Sequence, residues 1–150
     1  MKKIGEYTVR GQFTSLDGAG RKIQLFDGRF DTAYKVVKFW VSAQDPTDNL
    51  NDCVGSLATE PNMSIAGAWD WSDNREIAWA SSNGSTGTMA TPEGGLIDPD
   101  NLIVEDLYVY GRYDNSGETD PINYMVVMEK YDISSARGAL AMVRNNAQNV

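Results

Sequence analysis

The sequence predicts an all-β protein: an antiparallel β-sandwich, jelly-roll-like in topology, with a short C-terminal helix. Three observations predict it. Apolar and polar residues alternate with period two, as in "GEYTVRGQF", where Tyr7, Val9 and Phe13 oppose Glu6, Thr8 and Arg10. Turn-forming residues separate such runs, among them Gly18, Gly20 and the Asp27-Gly28 pair. About eight runs of modest length suit a sandwich or barrel. Periodicity gives no strand order, so the jelly roll is an expectation about topology. A chain of 150 residues suits one domain, residues 1–150, around one core.

The elements follow in order. After "GEYTVRGQF" comes the turn "SLDGAGR", then a second strand, "KIQLF". The third strand is "AYKVVKFWVSA". Val37, Phe39 and Val41 mark one face of it; Tyr34, Val36 and Trp40 mark the other. A polar loop, "QDPTDNLND", leads to a short fourth strand, "CVGSLAT", closed by Pro61. "MSIAGAWDW" is ambiguous, and "REIAWAS" is another strand. Residues Ser81 to Asn101 are rich in Gly, Ser, Thr and Pro and read as a long exposed loop. Two long strands end the β region: "LIVEDLYVYGRY" and "INYMVVMEKYDI", joined as a hairpin by "DNSGETDP". Only the tail has helical spacing. Ser134 or Ser135 caps it, and Ala136, Ala139, Leu140 and Val143 form its stripe.

Composition excludes several function classes. The chain carries 13 Lys and Arg against 21 Asp and Glu, a net charge of -8. That sign repels phosphate backbones and anionic bilayers, so neither nucleic acid nor membrane is an expected partner. The start, "MKKIGEYTVRGQF", lacks the apolar core of a secretory signal. The single cysteine, Cys53, can form no internal disulfide and reads as a small buried hydrophobe in a reducing compartment. There is no histidine. This removes the commonest general base, the Ser-His and Cys-His pairs, and most zinc and copper sites.

No catalytic, cofactor or metal site is expected. The acidic groups Asp45, Asp48 and Asp52, Asp98 and Asp100, and Asp114, Glu118 and Asp120 read as solvated turn residues. "DNSGETD" departs from a calcium-loop pattern in its glycine and its missing terminal glutamate. No pair of carboxylates is marked out by spacing as a glycosidase would need. "DGAGRK" lacks phosphate-loop spacing and a following helix.

Surfaces carry what functional signal there is. On the penultimate strand Leu107, Val109 and Tyr113 point one way, and Tyr108, Tyr110 and Arg112 the other. On the last strand Tyr124, Val126 and Met128 share one face, and Met125, Val127 and Tyr131 the opposite one. One face lines the core; the other still offers Tyr, Met, Val and Arg, types found at protein interfaces. Either the C-terminal helix or a partner chain covers that second face. The candidate interface is Tyr108, Tyr110, Arg112, Met125, Val127 and Tyr131. A second candidate is the pair Trp69 and Trp71. Two residues apart in an extended chain, they share a face on which sugar rings could stack, as in a carbohydrate-binding module; otherwise they fill core or subunit contact.

The stretch "NLIVEDLYVYGRY", "PINYMVVMEKYDIS" and "GALAMVRNNAQ" resembles small proteins encoded beside head genes in marine tailed-phage genomes. The resemblance covers residues 101–148. It implies a non-enzymatic cement, decoration or minor capsid protein, made in the host cytoplasm and placed in the virion. Its partners would be itself and a major capsid or other virion protein. It assigns no individual residue. The alternative reading is a carbohydrate-binding module of a phage tail or fibre.

Overall fold

Alternation becomes strand pairing over most of the chain. The computed structural model describes residues 2–14, 20–26, 28, 31–47, 52–63, 68–83, 91–114 and 119–134. Their strands are β1 (Lys2–Phe13), β2 (Arg21–Ile23), β3 (Thr32–Ala43), β4 (Cys53–Ala58), β5 (Glu76–Asn83), β6 (Thr91–Ile97), β7 (Leu107–Tyr113) and β8 (Ile122–Asp132). They form two antiparallel sheets. One has three strands in the order β1-β8-β3; the other has five in the order β2-β7-β4-β5-β6. The described residues contain no helix. The helix expected after Ser134, with Ala136, Ala139, Leu140 and Val143, lies outside them.

The two sheets share one core. Phe13, Phe39, Val41 and Val126 from the first meet Leu57, Leu107 and Val109 from the second, each under 5% exposed. Burying a side chain of this size is worth roughly 1.5–3 kcal/mol, so the cluster is the main source of stability. Cys53 belongs to it, at 1% exposure. Burial, then the nearby Asp52 charge, pushes its thiol pKa up to about 12, so it stays protonated and inert.

Several expectations change. The last two strands are not a hairpin. β7 lies between β2 and β4, and β8 lies between β1 and β3, in the other sheet. The connection between them crosses sheets. Tyr113 Oη anchors its end by donating to the Pro121 carbonyl (2.8 Å) while accepting the Gln44 amide (3.1 Å). The Ser81–Asn101 stretch contains β6, which is an edge strand, where a proline is tolerated. Leu102–Asp106 is not strand; only Ile103 bridges Tyr34, exchanging two amide bonds of 2.7 and 2.8 Å. In β3 a bulge between Val36 and Lys38 moves Val36 to the core side with Phe39 and Val41, against the alternation expected there.

The outer faces differ. On the five-stranded sheet, Tyr108 and Tyr110 pack with Ala58 and Met63 of the segment following β4. Tyr110 Oη donates to the Glu60 carbonyl (2.7 Å) and accepts the Met63 amide (3.2 Å). On the three-stranded sheet the register sets mixed rows side by side: Gln12, Asn123 and Ser42; Arg10, Met125 and Trp40; Thr8, Val127 and Lys38; Glu6, Glu129 and Lys35. Lys3 reaches Glu129 (2.8 Å) and Glu6 (3.2 Å), which holds the Glu129 carboxyl below its usual range.

Candidate functional site

The most distinctive chemistry lies on the outer face of the five-stranded sheet, and it begins with a bulge. Leu57 pairs with Ala78 but Ala58 pairs with Glu76, so Ile77 is an extra residue in β5. In an unbroken strand Glu76 and Trp79 would point to opposite faces. The bulge brings them together, and the Trp79 indole N–H donates to Glu76 Oε1 at 3.0 Å.

The turn before β5 folds over this pair. The Asp73 amide donates to the Asp70 carbonyl (3.0 Å), and Asp70 Oδ1 accepts the Ser72 amide (3.0 Å). Arg75 grips Asp73 through both fork nitrogens, Nε to Oδ1 at 2.9 Å and Nη2 to Oδ2 at 2.7 Å. A turn wound this tightly throws Trp69 and Trp71 outward, 41% and 63% exposed. The ring that Trp71 meets is Trp79, with centroids 5.8 Å apart and planes tilted by 53°. A hollow of about 350 Å³ opens between them, bordered also by Asp73, Glu76, Leu96 and Asp98.

Glu76 lines this hollow and is 2% exposed. Its Oε1 accepts the indole and, at 3.3 Å, the Asp70 amide. Its Oε2 has no hydrogen-bond partner among the described residues. Burial pushes its pKa up, the indole and the Asp70 amide oppose this, and the Asp73 and Asp70 charges add to the rise. Asp73 shifts the other way, held below the usual range by the Arg75 guanidinium.

A raised carboxyl pKa means that the folded state holds its proton more tightly than the unfolded chain. Stability therefore falls as pH rises through the interval above the ordinary glutamate value, and the deficit persists at neutral pH. Glu76→Gln removes the charge at a similar volume. It is expected to raise the urea midpoint at pH 7, and the gain is expected to vanish by about pH 4, where the glutamate is itself protonated. Equal gains at both pH values would contradict a buried charge.

A second hollow, of about 730 Å³, lies against the three-stranded sheet, where Arg10, Gln12, Trp40, Ser42, Asn123 and Met125 meet. Its centre is the row Arg10, Met125 and Trp40, and the Gln12 side-chain amide donates to Asn123 Oδ1 at 2.8 Å.

The six expected interface residues all stand on outer faces, but not on one face. Tyr108, Tyr110 and Arg112 belong to the five-stranded sheet, and Met125, Val127 and Tyr131 to the three-stranded one. Tyr110 is 2% exposed beneath its own chain, which removes it from any interface; Tyr108 is half-buried beside it. Tyr131 packs on Ala33, Val104 and Ile133. Arg112 and Met125 remain exposed, and Val127 is half-buried. Trp69 and Trp71 are both exposed, and Trp71 stands in a turn rather than in an extended chain.

Sequence reasoning missed Glu76, because only the bulge turns it toward Trp79. It missed Arg10 and Trp40 because their neighbour Met125 was assigned to a hairpin with β7. Among the acidic groups, Asp45 accepts the Thr47 amide (3.0 Å) and Asp98 the Asp100 amide (3.0 Å), as turn residues do. Asp48 and Glu118 lie outside the described residues, and no group of three or more metal-ligating side chains occurs among those described. Compared with protein-family models, with curated proteins and with solved structures, the chain matches none.

Proposed function

We propose that the chain is a non-enzymatic structural component of a virus particle: a capsid cement, decoration or minor capsid protein that packs against itself and a larger shell protein. In this reading it is a single β-sandwich domain of jelly-roll topology with a short C-terminal helix, made in the host cytoplasm and carried in the virion. The strand order supports the topology. A jelly roll sets its first strand beside its last and its second beside its seventh, as β1-β8-β3 and β2-β7-β4-β5-β6 do, although β6 stays beside β5 rather than joining β3.

One observation carries the reading of function. The three-stranded sheet has an outer face centred on Arg10, Met125 and Trp40, with no described segment of the chain laid over them. Arg, Met and Trp are interface types. Farther along the adjoining edge strand, β1, Ile4 is exposed as well (51%). Many weak contacts of this kind add up on a symmetric shell through effective concentration. The net charge of -8 keeps such a protein off packaged nucleic acid.

The test is size-exclusion chromatography with light scattering, together with co-sedimentation on purified shells of the virus that encodes the chain. The expected result is an assembly larger than 16.5 kDa, or shell binding. The double substitution Trp40→Asp, Met125→Asp is expected to weaken either by tenfold or more, about 1.4 kcal/mol. A clean monomer that ignores the shells removes the proposal.

A second reading, a carbohydrate-binding module of a tail or fibre, is favoured by the exposure of Trp69 and Trp71. Against it, the ring packed on Trp71 makes a corner rather than a platform.

A further inference from the structure

We propose that the hollow between Trp71, Trp79 and Glu76 is a binding site for the guanidinium group of an arginine side chain presented by another protein. The inference goes beyond the assembly role and concerns the other face of the molecule.

Three observations converge. The first is shape. Two indoles tilted by 53° at 5.8 Å form a corner, with Trp71 63% exposed. A planar cation can stack on the open ring while its edge reaches inward. A sugar is better served by a flat platform. At about 350 Å³ the hollow lies at the small end of ligand sites and suits one side chain rather than an oligosaccharide.

The second is an unmet acceptor. Glu76 Oε1 is occupied by the Trp79 indole and the Asp70 amide, but Oε2 has no partner among the described residues. Buried polar atoms of native proteins are nearly always bonded. What Oε2 lacks is a donor, and a guanidinium brings several on a rigid fork.

The third is charge. Asp70 and Asp73 from the turn and Asp98 after β6 surround Glu76. The one cation of the turn, Arg75, is engaged with Asp73 at 2.7 Å and Glu60 at 3.5 Å. The hollow therefore keeps negative potential, which burial strengthens. A bound cation lowers the cost of ionising Glu76, whereas a neutral sugar does not.

The test is a titration of the uniformly labelled full chain with N-acetylargininamide, followed by NMR. The expected result is a saturable shift of the Trp79 indole N–H and the Asp70 amide. Glu76→Gln keeps an acceptor for the indole and is expected to weaken binding at least tenfold. Trp71→Ala alters an exposed ring and is expected to weaken it several-fold, with the other resonances unchanged. N-acetylcitrullinamide, which has the same shape without the charge, is expected to leave the spectrum still.

Three results would overturn the proposal: binding of the citrulline compound as tight as that of the arginine compound, saturable binding of an N-acetylglucosamine trisaccharide at these resonances instead, or no saturable shift up to about 50 mM. The third result leaves the light-scattering outcome untouched, because that experiment reads the face carrying Met125 and Trp40. The two ideas can fail separately.

Discussion

Gly111→Ala is expected to lower folding stability by about 3 kcal/mol, read as a fall in the urea midpoint. Gly111 lies in the middle of β7, directly opposite Gly55 of β4. A Cβ on Gly111 would stand 2.3 Å from the Val54 carbonyl oxygen and 2.9 Å from Phe13 Cζ. The first is backbone of the neighbouring strand; the second is the tip of a core ring from the other sheet. Neither can swing aside in an interior packed as densely as a crystal. On Gly55 a Cβ would stand 2.6 Å from Val41 Cγ1. The facing glycines thin the five-stranded sheet just where Phe13 and Val41 press on it. Gly5 of β1 is the control, since a Cβ there meets nothing within 4 Å. Gly5→Ala is expected to be neutral or to stabilise by about 0.5 kcal/mol, because it restricts the unfolded chain. If both alanine variants behave alike, the two sheets do not meet at Gly111.

Asn101→Leu is expected to cost a similar amount, about 3 kcal/mol. Asn101 is 2% exposed and stands beside the β3 bulge. Its Oδ1 accepts the Val36 amide at 2.7 Å, and its Nδ2 donates to the carbonyls of Val36 (3.1 Å) and Asp98 (2.8 Å). The side chain thus stands in for one residue of a neighbouring strand, next to the Tyr34–Ile103 bridge that continues the pairing. Leucine keeps the branched heavy-atom skeleton, so the loss chiefly reports the two stranded backbone groups of Val36; the Asp98 carbonyl keeps the Asn101 amide (3.2 Å). Asn101→Asp keeps the acceptor and loses both donors, and is expected to lie close to leucine. Chemical denaturation measures both. A loss under about 1 kcal/mol for Asn101→Leu would mean that water replaces all three bonds.

The strands themselves were legible where alternation was clean. Tyr124, Val126 and Met128 were grouped on one face from their spacing, and they are core. Cys53 read as a buried hydrophobe and is one. What misled was continuity. Two apolar runs separated by turn residues look like a hairpin whether or not they pair, because the same pattern arises when each strand is flanked in a different sheet. Bulges hid the rest. One extra residue at Ile77 and another near Val37 invert the facing of everything beyond them, and no composition signal marks either. β6 was hidden for a different reason: an edge strand tolerates the Pro and Gly residues that elsewhere signal a loop. The candidate site depends on the first of these bulges. Its tryptophans were visible in the sequence; the carboxylate that gives them a chemical purpose was not.

The middle position of β8 has a consequence for synthesis. β1 and β3 are the longest of the described strands, 12 residues each, and neither pairs with the other. Each waits for the last strand to leave the ribosome before it gains a partner in its sheet. Until then two long ribbons stand with raw edges, the condition under which nascent chains stick together. Lysines on their outward sides are the kind of residue that blunts such edges. Maturation is bound to be late and abrupt, since insertion of one ribbon completes a whole layer at a stroke.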